Sequence, residues 1–409
     1  MYKKKVAIFL DTRKESGGEY QHLLYTIENI KRNNKDKVKF LIICLSKKLN
    51  LDLNFQDIEI KYFSLNFFER FVCYLRNYGN FTRRIKRFYF FKNKFENYLK
   101  KNNVDLVYFT SPSQYSLYLE NTKFIITIPD VDHREHVEFP EIVDDGEYQR
   151  KEEIFSKSLP RAQAVITNAK IIKQRLIKYY NISEKRIFII NLRPAMSVKN
   201  FSLSNIDLNE NNKIIRKFNL PKNYIFYPAM YLPHKNHKTL IDSVELLNKN
   251  SNNKLKVVFS GSDIGYKRKI QTYVSKKGMI SDITFLNFVE NHELPYLYLN
   301  SSLIVFPVLI GPTFTPLWEA FKMERPVIFS DLEGVHDVYG EGVEYINPLN
   351  PLDISNAIKK ILNDNEFKLN LIKKGKEQLN KIENQNEYQQ VFDIIKNFRN
   401  INSTWTFEK

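Results

Sequence analysis

Sulfur is scarce in this chain: 409 residues include only two cysteines, Cys44 and Cys73, both in apolar surroundings. So placed they cannot build a disulfide framework, which agrees with a reducing compartment. Long hydrophobic runs are missing as well. No stretch approaches the ~18 consecutive apolar residues that a membrane-spanning helix needs. The amino terminus runs through three lysines to Leu10 and turns polar at Asp11, before a signal-peptide core is complete. The expectation is a cytoplasmic protein that neither spans a membrane nor carries a visible export signal. Apolar residues themselves are plentiful, with 43% of the chain hydrophobic and 14% aromatic, which excludes a disordered chain. The length suits two cores better than one.

Acidic residues are in the minority. Against 63 Lys and Arg stand 46 Asp and Glu, a formal charge of +17. Three origins are open: a compositional drift toward Lys, Asn and Ile, attraction to an anionic membrane or a phosphate-bearing substrate, and attraction to nucleic acid. Nucleic acid ranks last, because no nucleic-acid module signature is present.

Short β-branched or aromatic runs alternate with amphipathic stretches of helical length, the pattern of parallel sheets covered by helices, so the class is α/β. Strands are expected at 6–10, 38–44, 106–110, 124–128, 164–167 and 186–190, then at 224–227, 256–260, 283–286, 303–306, 327–329 and 344–346. A polar, Asn-rich stretch at 197–222 reads as a linker plus a short helix, closing at Pro221. This divides the chain into an N-terminal domain of 1–200, a C-terminal domain of 201–383, and a tail of 384–409 whose amphipathic run can return to the first domain. No repeat of fixed period is evident.

Gly17 and Gly18 lie between the first strand and an amphipathic helix. Paired glycines there let backbone approach a ligand, and the helix N-terminus offers amide donors to an anion, although such a turn serves structure equally well. The full Gly-x-Gly-x-x-Gly fingerprint is absent, which weakens the case for a nicotinamide enzyme. In the second half a strand, a polar turn carrying Lys235 and a helix follow in order. A lysine beside a helix N-terminus suits a diphosphate, and the plain alternative is a solvated lysine in a basic protein. Downstream, Phe306-Pro leads into a loop of Gly311, Pro312 and Thr313, then a helix with Pro316 in its first turn and Glu319 about one turn in. A carboxylate there can accept hydrogen bonds from ribose hydroxyls or merely complement the helix dipole.

The ordered set from Tyr224 to Asp364 resembles the retaining glycosyltransferases of family 4, also called group 1. It comprises Pro-His-Lys235-Asn-His, Val258-Phe-Ser-Gly261, Phe285-Leu-Asn-Phe-Val289, Glu293-Leu-Pro-Tyr-Leu-Tyr298, Phe306-Pro, Gly311-Pro-Thr, Glu319-Ala-Phe, Arg325-Pro-Val-Ile-Phe-Ser330 and Tyr339-Gly. Looser matches in the first half are Gly17-Gly18, Ile128-Pro-Asp130-Val-Asp-His133, Phe139-Pro-Glu141 and Ala164-Val-Ile-Thr-Asn168. The resemblance implies a GT-B fold, two Rossmann-like domains facing each other across a cleft. It implies a nucleotide-sugar donor, transfer with retention to a saccharide or lipid-linked acceptor, and no cofactor or obligatory metal. Lys235 matches the donor-diphosphate lysine and Glu319 the second glutamate of the paired-glutamate motif. His133 and Asp130 are implied near the acceptor, and Gly17, Gly18, Gly311, Pro312 and Thr313 around the donor. Bacterial surface polysaccharide or lipopolysaccharide assembly is the implied setting.

Four positions depart from the family pattern. Gly311 stands where the first glutamate is usual, Met230 where an arginine is usual, Glu324 where glycine commonly ends the helix, and Pro129 in place of the histidine of the His-Asp pair. With Met230, a single cation must serve the diphosphate unless another base such as Arg268 or Lys238 helps. Residues 67–101 interleave aromatics with basic residues: Phe81, Ile85, Phe88, Phe91, Phe95 and Tyr98 fall at helical spacing, with Arg83, Arg84, Arg87, Lys92 and Lys94 between them. Packing against the domain core is one reading. An anionic membrane surface at the inner face of the plasma membrane, or a lipid-diphosphate acceptor, is the other. The competing functions are a non-catalytic sugar-nucleotide-binding protein, a sugar-nucleotide epimerase and a single-strand nucleic-acid binder.

Overall fold

A computed structural model describes residues 5–11, 18–33, 38–45, 58–77, 92–249, 251 and 253–402. The first half folds around a parallel sheet of seven strands, β1 (Lys5–Leu10), β2 (Lys39–Cys44), β3 (Glu59–Tyr62), β4 (Val104–Phe109), β5 (Lys123–Thr127), β6 (Ala164–Thr167) and β7 (Ile187–Ile189). Their order is β3-β2-β1-β4-β5-β6-β7. The second half holds six parallel strands, β8 (Tyr224–Pro228), β9 (Lys256–Ser260), β10 (Ile283–Phe285), β11 (Ser301–Phe306), β12 (Val327–Ser330) and β13 (Val343–Ile346), in the order β10-β9-β8-β11-β12-β13. Runs such as Val6 to Leu10 and Leu303 to Phe306 are apolar at every position because helices cover both faces. These are two Rossmann-like α/β domains.

Sequence patterning anticipates twelve of the strands and misses β3. Its four residues, Glu59-Ile-Lys-Tyr62, are half exposed and carry no apolar run. The strand exists because it edges the sheet, pairing with β2 from Leu41 opposite Glu59, and because Lys5 Nζ sits 2.6 Å from the Glu59 carboxylate.

In each sheet the connections run one way from a central strand and then the other, so the order reverses between β1 and β4 and again between β8 and β11. Loops leaving the carboxyl ends of such strand pairs diverge and leave a crevice between them.

The chain crosses between domains twice. At the first crossing Arg193, 5% exposed, extends its guanidinium to Glu387 at the second, with Nη2 3.0 Å from Oε2. The same carboxylate accepts from Asn191 N at 2.9 Å and Asn191 Nδ2 at 2.5 Å. Beyond it the helix Tyr388–Asn402 lies on the first domain, burying Tyr388, Val391, Phe392 and Ile395 with Val6, Ile8, Leu23 and Ile27. Thr26 Oγ1 and the Tyr388 hydroxyl are 3.1 Å apart.

Candidate functional site

A cleft of about 600 Å³ opens between the domains, lined from both sides. Its size is that of a small-molecule site. The floor on the C-terminal side comes from the loops after β8 and β11, the strands flanking the switch point. After β8 a single turn, Pro233–Lys235, precedes the helix His237–Asn248 and carries Lys235. Asn236 locks that turn to the neighbouring loops: its Nδ2 donates to the carbonyls of Pro307 at 3.0 Å and Pro348 at 2.8 Å. Gly261, after β9, passes so close to the first loop that a Cβ would lie 2.2 Å from the Ala229 carbonyl oxygen, so only glycine fits.

Lys235 is half-buried, with Nζ 4.4 Å from the centre of the Phe314 ring. Burial pulls its pKa down to about 8, against the opposing pull of Asp132, Glu141 and Asp130. No described carboxylate forms an ion pair with it. Glu319 lies one turn into the helix Thr315–Lys322, 3% exposed. Its carboxylate accepts from the Tyr298 hydroxyl at 2.7 Å and from Ala195 N at 3.3 Å. Burial lifts its pKa to about 7, opposed by those two donors. Lys235, Gly311, Pro312, Thr313 and Glu319 all line the cleft. Gly311 has φ +92°, a conformation that a side chain strains.

The opposite wall belongs to the N-terminal domain, where Gln21, His22, Asp130, Asp132, Glu141, Lys151 and Asn168 line the cleft. Burial raises the pKa of Asp132, and the charge of Asp130 adds to it. Asp130 is itself held low despite burial, because Lys151 Nζ lies 3.4 Å away. Four polar atoms of this wall are buried without a hydrogen-bond partner: His22 Nε2, Asp132 Oδ1, Glu141 Oε2 and Asn168 Oδ1. Unpaired buried polar atoms are costly and mark places where a ligand can complete the bonding. The two walls touch at Gln21 Nε2 to Asn291 Oδ1, 2.8 Å, and at Glu141 to His234.

His133 is fully buried and is not among the cleft-lining residues. Its Nε2 lies 2.9 Å from the Tyr180 hydroxyl and its ring meets Phe155 edge-on at 4.9 Å, so the neighbouring Asp132 reaches the cleft in its stead. Gly17 lies outside the described residues, and Gly18 opens the helix Gly18–Asn33, whose first turn brings Gln21 and His22 to the cleft. Arg268 and Lys238 are exposed and do not line the cleft, so neither supplies a second cation there; Lys151 does. No local pattern singles out Lys151, one basic residue among 63 and placed within the helix Glu147–Ser158. Asn168 had a signal in its position just past the end of β6.

Residues 78–91 of the basic aromatic segment lie outside the described residues. Within the described part the packing reading holds for Phe95, which is buried, and for Tyr98, stacked on Phe63 at 4.3 Å. The helix Phe67–Asn77 differs, exposing Phe67, Phe68 and Phe71 by 87%, 65% and 51%.

Two doubly wound domains facing each other across a ligand-sized cleft, with the C-terminal helix folded back on the first, constitute a GT-B architecture. Residues 209–378, most of the C-terminal domain, match the family described as Glycosyl transferases group 1. RfbU, an O-antigen chain mannosyltransferase of Salmonella typhimurium, is 26% identical over 208 residues, 51% of this chain and 53% of that protein. The match thus spans about half the length of that relative. WaaG, a glycosyltransferase involved in lipopolysaccharide biosynthesis, superposes with a TM-score of 0.70 at 15% identity, over 95% of this chain and 99% of that one. Anabaena HepE in complex with UDP and glucose gives 0.70 at 14% identity, over 96% and 100%. At such identities the structural likeness speaks for the fold.

Proposed function

We propose that this protein transfers a sugar from a nucleotide-activated donor, held by the C-terminal domain, to a hydroxyl of a saccharide or lipid-linked acceptor held against the N-terminal wall. The observation that carries this reading is that Lys235, an ammonium paired with no described carboxylate, and Glu319, a buried carboxyl group, line the same cleft at the ends of one domain's strands. The ammonium suits the diphosphate and the carboxylate suits the ribose. Charge grows on the departing nucleoside diphosphate during transfer, so a cation preorganised there lowers the barrier. The orphaned polar atoms of the opposite wall suit a partner rich in hydroxyl groups, which donate and accept. Retention of configuration and independence from metal are part of the proposal, resting on the group 1 resemblance. The RfbU likeness makes a mannosyl donor and surface-polysaccharide assembly the first candidates.

The test is a thermal-shift and calorimetric screen against GDP-mannose and UDP-glucose, since a ligand at 100 times its Kd stabilises by about 2.7 kcal/mol. Lys235→Ala should cut transfer by about a hundredfold or more with the fold intact, a loss typical of removing one transition-state charge contact. Unchanged turnover and affinity in that variant would sink the diphosphate assignment.

We also propose that the exposed phenylalanines of Phe67–Asn77, beside Arg and Lys, rest on an anionic lipid surface. Cosedimentation with phosphatidylserine vesicles should be lost on the triple change Phe67→Ser, Phe68→Ser, Phe71→Ser. Equal sedimentation of both proteins would refute it.

A further inference from the structure

Glu141 stands on the N-terminal domain, in the short helix Pro140–Val143, yet its closest partner belongs to the other domain. Its Oε1 accepts two bonds from His234, one from the backbone N at 3.0 Å and one from ring Nδ1 at 2.5 Å. Phe139 adds an edge contact to the same imidazole, ring centres 6.1 Å apart. His234 immediately precedes Lys235 in the turn after β8. Its carbonyl accepts from Leu309 N at 2.8 Å, in the loop that leads from β11 to Gly311, Pro312 and Thr313. A continuous path of hydrogen bonds therefore runs from one carboxylate of the N-terminal domain through His234 into both loops that frame Lys235 and Gly311.

Each bond in that path constrains backbone. The His234 imidazole, with its pKa lowered to about 4 by burial and by Lys235, is neutral near pH 7, so a neutral Nδ1–H faces the ionised carboxylate. A charge-assisted bond of this type holds the ring in one tautomer and one orientation. The backbone N–H of His234, satisfied by the same oxygen, cannot turn away without leaving a buried donor unpaired. Glu141 Oε2 is buried and unpartnered on the cleft side, so the group that fixes the loop also borders the ligand space.

We propose that Glu141 is a positioning residue for the donor site, acting across the cleft through His234 to fix the loops after β8 and β11, so that the site is fully ordered only when the two domains are closed on each other. The site it acts on is the donor site of the reading above. That reading concerns what binds; this one concerns what holds the loops, and the two separate experimentally.

Hydrogen exchange of the unliganded full chain tests the positioning directly. In Glu141→Ala, peptides covering 229–236 and 307–314 should exchange at least about tenfold faster, while those covering β9 and β12 stay unchanged, the loss expected when both charge-assisted bonds to His234 are removed. Glu141→Gln, which keeps an acceptor for the backbone N–H, should recover most of the protection. Unaltered exchange of both loops in the alanine variant overturns the proposal whatever binds in the cleft. Calorimetry with GDP and with UDP supplies the second arm. If the wild type binds either, the alanine variant should bind it about tenfold more weakly and the glutamine variant within about threefold. If the wild type binds neither, the donor reading falls and the exchange data still decide the role of Glu141. Should the alanine variant not fold, His234→Ala serves in its place, removing the ring bond but not the backbone one. A smaller rise in exchange at 307–314 is then expected, and no rise overturns the proposal.

Discussion

Glu319 is a carboxyl group with almost no access to water, and its proton reports on that. Burial lifts its pKa from 4.5 to about 7, so the folded chain holds the proton more tightly than the unfolded chain does. Its contribution to stability is then most favourable below pH 4.5 and is lost as the pH rises through about 7. Glu319→Gln cannot ionise and keeps an acceptor for Tyr298. At pH 8 the variant should be more stable than the wild type by about 1–3 kcal/mol, a gain that fades toward pH 4.5. Denaturant titrations of both proteins at pH 5 and 8 check this. A variant equally stable at both values, relative to wild type, would mean the carboxyl is solvated. The same substitution should weaken nucleotide binding, because a group tuned for a ligand is paid for in stability.

At the scale of elements, the helix Thr315–Lys322 shows how a local rule is broken and tolerated. It closes with Arg325 N bonded to Ala320 O at 2.9 Å and Glu324 N bonded to Phe321 O at 3.1 Å, the pair of bonds that defines a Schellman ending. That ending needs a left-handed residue at position 324, where glutamate sits at φ +54°. The left-handed backbone costs a residue with a side chain about 1–2 kcal/mol, and the exposed pair between Glu324 and Lys376 returns at most about 1 kcal/mol. Glu324→Gly should therefore be about 1 kcal/mol more stable than Glu324→Ala, measured by thermal unfolding. Equal stabilities would show that the strain is relieved elsewhere. Gly311 is the converse case. Its φ of +92° belongs to a turn that a glutamate would strain, so this loop is shaped without the usual first carboxylate. The strand β3 belongs here as well: alternation and propensity are mute for four half-exposed residues, and pairing with β2 decides them.

For the whole molecule, the relation between the domains rests on the two chain crossings and the cleft contacts. Arg193 and Glu387 are the buried pair at the crossings, and removing one partner leaves the other charge without compensation, a loss of about 3–5 kcal/mol. Arg193→Ala should lower the stability by about that amount and enlarge the radius of gyration in solution scattering, because the C-terminal helix and the first crossing lose their clasp. A destabilised but equally compact variant would confine Arg193 to packing. The basic surplus also belongs to this scale. It does not carry into the cleft, whose N-terminal wall presents Asp130, Asp132, Glu141 and Glu147 against Lys151. The charge of +17 therefore lies mainly outside the cleft.

Residue order alone determined the α/β class, most of the strands, the two-domain architecture, and the placing of Lys235 on a turn after one strand and of Glu319 one turn into a helix after another. Periodicity and turn chemistry are local, and they are written wherever a segment must bury one face. The group 1 signature was legible for the same reason, being a string of short local motifs. What only tertiary structure decided is which side chains share a space. That Asp132 rather than His133 reaches the cleft, that Lys151 and not Arg268 or Lys238 brings the second cation, and that Glu141 crosses to His234 all depend on how two separately folded sheets are set against each other. Such contacts join residues tens to hundreds of positions apart, and no local preference encodes them; burial and hydrogen-bond satisfaction, computed over the whole chain by folding itself, do.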